Sequence, residues 1–288
     1  MGHNARMDDS YARELWHVIE PIHIQSYFTP ETVAAAKEVG LRGYWMGYFA
    51  MRGGPLGEVG PGVVEAVFHG FHPRRVRRAI PDAWTFASRA DILAARSAAA
   101  AAALRRAMPE VDALVPSAID PLLRAVEAAD GTGRALFAAN RDLPRPQDPV
   151  EDLWQAVTAL REHRGDGHVA ILTAEGLDGA QSNILAAAVK GSPEQWLKDS
   201  RGYTDEEWET ARAALVDRGL LAADGTATAE GRAFRDAIEA RTDARAAGPY
   251  RALPDPTALY DALLPLAQAV IATGEIPFPN PVGARPPR

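Results

Sequence analysis

Apolar residues recur every third or fourth position along most of this chain, and strand-like alternation is nearly absent. Helix starts are written plainly between these amphipathic runs. Thr29-Pro30-Glu31 offers an N-cap hydroxyl followed by proline at the first helical position. Ser88-Arg89-Ala90-Asp91 opens an alanine-rich helix that runs to about Arg106. Ser192-Pro193-Glu194-Gln195 and Thr204-Asp205-Glu206-Glu207 both fit a capping box, in which hydroxyl and acid satisfy each other's orphan amides. Trp208 and Leu215 share one helix face and are expected to be buried, and a last amphipathic helix is read over 257–273. The pattern predicts an all-α chain. One segment departs from it: residues 220–227, around Asp224-Gly225, alternate as a small two-stranded wing would.

Order along the chain suggests two units. The stretch from Arg201 to Ala247 reads as a capped helix, a glycine stop, a short turn and a second helix opened by Thr228, which is the order of the back half of a winged helix. The expectation is therefore a helical ligand-binding domain over 8–143, the linker PRPQDP at 144–149, and a degenerate winged-helix-like domain over 149–275. Winged helices usually read DNA, but residues 204–218 carry Asp205, Glu206, Glu207, Glu209 and Asp217 against Arg212 and Arg218 alone. Phosphate neutralisation supplies most DNA affinity, and the whole chain has a net charge of −7. DNA binding is expected to be weak or absent.

Composition narrows the chemistry. With no cysteine, disulfides, thiolate metal sites and a thiol nucleophile are excluded. The start, MGHNARMDDSYARELW, has no apolar run behind a basic patch, and no apolar stretch is long enough to span a bilayer. The expected protein is cytoplasmic, without a membrane partner, and homodimeric through its terminal helices.

Four constellations could carry chemistry. Residues 163–168, His-Arg-Gly-Asp-Gly-His, read as a turn between two helices. His163, Asp166 and His168 there suit either an acid–base or metal site, or a plain interhelical turn capped by Asp166. His17, Glu20 and His23 share a helix face interrupted by Pro21, either a gripping face or an ordinary surface. Trp45, Tyr48, Phe49 and Arg52 form an aromatic stripe ending in an arginine and a glycine-rich loop. That stripe can be core packing or a pocket wall with an anion-holding head. Arg74, Arg75, Arg77 and Arg78 splay around a helix and suit a solvated face paired with acids better than a phosphate grip.

The segments HIQSYFTPE, GLRGYWMGYFAMRGGPLGEVGP, FHGFHPRRVRRAIPDAW, LREHRGDGHVAIL and RGYTDEEWETARAALVDRGLL together resemble a group of actinobacterial helix-turn-helix proteins. Their C-terminal part is similar to MarR-type winged helices. The resemblance implies the fold class and places any site in the N-terminal half, but it brings no reaction and no catalytic residues.

Aromatics concentrate before residue 90, and so do five of the seven histidines. The expected function is binding of an apolar or aromatic small molecule, for sensing, regulation or sequestration. The ligand set is Trp45, Tyr48, Arg52, His72, His23 and Tyr27, with Arg52 taking an anionic group, Tyr48 and His72 giving hydrogen bonds and Trp45 stacking. His163, Asp166 and His168 are secondary candidates. The alternative is an enzyme of specialised metabolism using histidine acid–base or metal chemistry. No cofactor and no metal can be named from the residues.

Overall fold

A computed structural model describes residues 10–280, 282–283 and 285–287. The first nine residues, which hold the expected domain start at position 8 and the beginning of the segment read for a signal peptide, lie outside it. Sixteen α-helices follow one another among the described residues. The first half runs α1 (Ser10–Ile24), a 3-10 turn (Gln25–Tyr27), α2 (Pro30–Glu38), α3 (Gly43–Gly53) and a second 3-10 turn (Gly54–Leu56). It continues through α4 (Pro61–Val67), α5 (Pro73–Arg77), α6 (Ala83–Phe86), α7 (Arg89–Ala107), α8 (Val111–Ala128) and α9 (Ala135–Arg141). After the proline-rich loop come α10 (Pro149–Ala174), α11 (Gly179–Lys190), α12 (Glu194–Arg201), α13 (Asp205–Asp217) and α14 (Ala229–Ala246), then α15 (Gly248–Arg251) and α16 (Pro256–Ala272).

Local capping explains many of these boundaries. Ser88 accepts from the Asp91 amide and Asp148 from those of Val150 and Glu151. Thr204 and Glu207 complete a reciprocal capping box, as do Asp178 and Gln181. Ser192 does not play its expected part: Pro193 stands at the N-cap of α12, and no side chain caps that helix.

The core falls into three clusters. The largest joins α1, α7, α8, α10 and α16 around Leu15, Ile22, Leu122, Trp154 and Leu263. A second gathers the aromatic residues of α3 and the short helices after it, and a third joins α11 to α14 with Ile171 and Leu172 at the end of α10. The helix α10 is the common axis, touching α1, α7, α8, α9 and α14. The terminal helices α1 and α16 pack on each other within the chain.

Two local expectations are corrected. No two-stranded wing forms, and no strand or sheet occurs among the described residues. Leu221 and Ala227 make one isolated antiparallel bridge. Asp224 accepts from the amide and hydroxyl of Thr226, which closes the turn at once. Thr228 then caps α14 through the Gly231 amide while donating to the Gly219 carbonyl, so the chain enters a helix where a ladder would have to lengthen.

The glycines at 165 and 167 do not make a turn either. Both lie inside α10, where each costs about 1 kcal/mol relative to alanine. They are there for close approach. A Cβ at Gly167 would sit 2.5 Å from Nη1 of Arg134, whose guanidinium donates to the carbonyls of His163 and Arg245. At Gly165 it would meet Oε2 of Glu162 at 3.3 Å.

Candidate functional site

Between α1, α2, α3 and α10 lies a cavity of about 190 Å³. Val33 and Tyr44, two of the few large apolar side chains left exposed, stand among its lining residues with Lys37. Ala36, Leu41, Gly47 and Met51 make its apolar wall, and His23, Thr158, Glu162 and Arg96 add polar groups. An apolar chamber with a few placed polar groups is the usual form of a small-molecule site.

The helices set these groups by their period. His23, in the last turn of α1, and Tyr27, in the 3-10 turn after it, are one turn apart, and Tyr44, Tyr48 and Arg52 follow at successive turns of α3. Trp154, Thr158 and Glu162 make the matching stripe on α10. Across the gap, His23 Nδ1 lies 2.9 Å from Thr158 Oγ1 and His23 Nε2 2.7 Å from the Tyr27 hydroxyl. Arg52 donates in bidentate fashion to Glu162 at 2.9 and 3.0 Å, and its remaining Nη1 reaches the Tyr48 hydroxyl at 3.1 Å. Arg161 binds Glu162 on one side and Glu20 on the other, and Glu20 also accepts from Trp16.

Burial and charge fix the protonation states. Burial, reinforced by Arg161, holds the His23 imidazole well below its usual range, so it is neutral. Burial likewise raises the Tyr27 phenol. For Glu162, burial pushes upward but Arg52 and Arg161 overcome it and hold the carboxyl well below the usual carboxylate range. Arg96 is different: burial lowers it to about 10, and its hydrogen bonds run to neutral acceptors, the Met51 carbonyl, Asn140 Oδ1 and Gln155 Oε1.

Four of the sequence-derived candidates, His23, Tyr27, Tyr48 and Arg52, meet at this cavity. Arg52 is engaged by Glu162 and Tyr48, which leaves it little capacity for an outside anion. Trp45 turns away, packing on Phe49 and Phe71 with the Arg75 guanidinium 4.7 Å over its ring. His72 is also elsewhere: it caps α5 and contacts Glu207 at 3.1 Å. Asp166 and His168 line a second space of about 210 Å³ on the far side of Tyr48, Arg52 and Glu162, and His163 is buried against Phe137. His17 is half-buried beside Trp16. Among the described residues no group of three or more histidine, aspartate or glutamate side chains is placed to hold a metal ion. Arg96, Trp154 and Thr158 were not singled out by the pattern, and Glu162 was noticed only as a neighbour of the 163–168 histidines. Arg96 did leave a signal, as the one charged residue between Asp91 and Arg105 in an alanine-rich helix.

Beyond α10, α12 and α13 are joined through Gly202, whose left-handed φ of +86° makes the corner between them. Trp208, Ala211 and Leu215 bury one face of α13, leaving Asp205, Glu206 and Glu209 outward. The first half of the chain docks on this corner. Arg74 and His72 reach Glu207, Arg75 donates to the Asp199 carbonyl, and His72 amide donates to the Arg201 carbonyl. Arg77 pairs with Glu65, so this basic run is largely matched within the chain.

Residues 12–277 match the model of a family described as the helix-turn-helix family. The chain belongs to that family. Membership suggests a regulator of the DNA-binding type, and the match spans the cavity-bearing first half as well as the α12–α13 corner. No curated protein and no solved structure matches the chain. No helix among the described residues of this helix-turn-helix protein is long and apolar enough to cross a membrane.

Proposed function

We propose that this member of the helix-turn-helix family binds a compact, largely apolar aromatic molecule in the cavity between α1, α2, α3 and α10, and that occupancy is felt by its helix-turn-helix half. The carrying observation is the cavity itself, about 190 Å³ with mainly apolar walls beside the His23–Tyr27–Thr158 network. A cavity of roughly 150 Å³ already holds benzene, so one aromatic ring with a small substituent fits. The route to the other half is short. The same helix α10 carries Thr158 and Glu162 at the cavity and Ile171 and Leu172 in the core of α11 to α14.

Monocyclic aromatics at millimolar concentration are expected to raise the melting temperature with the logarithm of concentration above Kd, by the equivalent of about 2.7 kcal/mol at 100 times Kd. Ala36→Leu, which fills the cavity, is expected to abolish the response in a folded protein. A shift that survives Ala36→Leu unchanged places the ligand elsewhere.

Contact of α13 with DNA is weak in this reading. Its N-terminal turn presents Asp205 and Glu206, Arg212 is engaged by Glu194 and Glu209, and Arg218 by the carbonyls of Glu175 and Gly176. A mobility shift with a fragment from the protein's own promoter is expected to show no nanomolar complex at about 150 mM salt. Such a complex would promote direct operator binding instead.

Catalysis is the second reading, favoured by one contact: a neutral His23 within 2.7 Å of a phenol is a ready proton relay at the cavity wall. Consumption of a bound compound, followed by mass spectrometry, would move the assignment to an enzyme.

A further inference from the structure

Two buried N–H donors beside the cavity have no acceptor. Arg96 is 5% exposed and Trp154 2% exposed, both line the cavity, and neither Arg96 Nε nor Trp154 Nε1 makes a hydrogen bond. The two side chains adjoin, with the Arg96 guanidinium 5.3 Å from the Trp154 ring centroid. An orphan buried donor costs on the order of 1–3 kcal/mol, and a buried cation without a counter-ion costs more.

Charge points the same way. Of the cations around the chamber, Arg52 is matched by Glu162, and Arg161 by Glu20 and Glu162. Arg96 forms no ion pair; its Nη atoms take a backbone carbonyl and two side-chain amide oxygens, all neutral. Lys37 adds a second positive charge to the lining. The chamber therefore carries unbalanced positive charge, which an anion with two acceptor oxygens would balance while giving both donors a partner.

We propose that the ligand of this cavity is an aromatic carboxylate, its ring held among Tyr27, Tyr48 and Leu41 and its carboxylate placed between Arg96 and Trp154. This rests on the cavity reading above and adds the chemical class. It also moves the anion partner from Arg52, whose donors are engaged, to Arg96 on α7. The buried guanidinium–carboxylate pair formed on binding would supply both discrimination against neutral rings and a reason to keep an arginine in an otherwise alanine-rich helix.

Four probes of similar size test this by calorimetry on the full chain: benzoate, benzamide, benzyl alcohol and toluene. Benzoate is expected to bind at least tenfold more tightly than benzamide, which is about 1.4 kcal/mol. In Arg96→Gln that preference is expected to vanish while toluene affinity stays within about threefold. Trp154→Phe keeps the ring and loses the donor, and is expected to weaken benzoate several-fold with toluene unchanged. It serves as the reporter should Arg96→Gln fail to fold. Benzamide binding as tightly as benzoate, or full benzoate affinity in either variant, overturns the carboxylate assignment and leaves the cavity reading standing. No binding by any of the four overturns both.

Discussion

Glu162→Ala is expected to destabilise the protein by about 3–5 kcal/mol, because it strips two buried guanidinium groups of their shared carboxylate. Glu162 is 1% exposed and accepts from Arg52 on one side and Arg161 on the other. Arg161 keeps Glu20, but Arg52 is left with the Tyr48 hydroxyl and the face of the Phe68 ring. Urea unfolding at neutral pH measures the cost, and a loss below about 1 kcal/mol would mean that water or a neighbouring acid takes over. The double variant Arg52→Met with Glu162→Leu separates charge from shape. Replacing a buried pair by apolar residues of similar volume is often neutral, so much of the loss should return.

Mild acid is expected to act still more strongly. His23, His163 and His168 are held neutral by burial, His163 and His168 at about 3 and His23 well below its usual range. An unfolded imidazole takes up its proton near 6.5, so below that pH protons favour the unfolded chain and stability falls. Asp166 acts in the opposite sense. Burial, helped by Glu162, raises it to about 6, and its protonation on acidification favours the folded state. His17, lowered to about 4 by burial, acts with these three, and the imidazoles outweigh the aspartate to leave a net loss of several kcal/mol between neutrality and pH 5, a large share of a typical domain's stability. Below about 4.5 the depressed carboxyls of Glu162 and Glu239 add to the loss, since their stabilisation is present above the unfolded carboxyl range and disappears as pH falls. Urea midpoints at pH 7, 6 and 5 test this. A flat profile would show that these imidazoles take up protons in the folded chain.

Helix content and many helix boundaries were legible because their causes are local. A Ser88 or Thr204 hydroxyl finds its amide three residues on whatever the rest of the chain does. The same holds for the cavity's raw materials: His23 with Tyr27, and Tyr48 with Arg52, are each one helical turn apart, and that spacing alone puts each pair on one face. The Ser192 box and the wing failed where short-range signals competed with neighbours. Pro193 took the cap position, and Thr228 opened α14 before a second ladder bond could form.

By itself, then, the sequence determined an all-α chain, the placing of most helices, and a cluster of aromatic and histidine residues in its first half. Tertiary structure alone decided what those residues face. Arg52 and Glu162 are 110 positions apart, and no periodicity announces that one neutralises the other. The glycines at 165 and 167 read as a turn until Arg134 is seen lying against the helix, because what occupies the space of a side chain at Gly167 comes from a distant part of the chain. Arg96 stands out on an alanine-rich helix, but only packing shows that it is buried without an acid beside it. Caps and turns act within a few residues, whereas charge compensation and cavity walls arise between elements that meet only when the chain has folded.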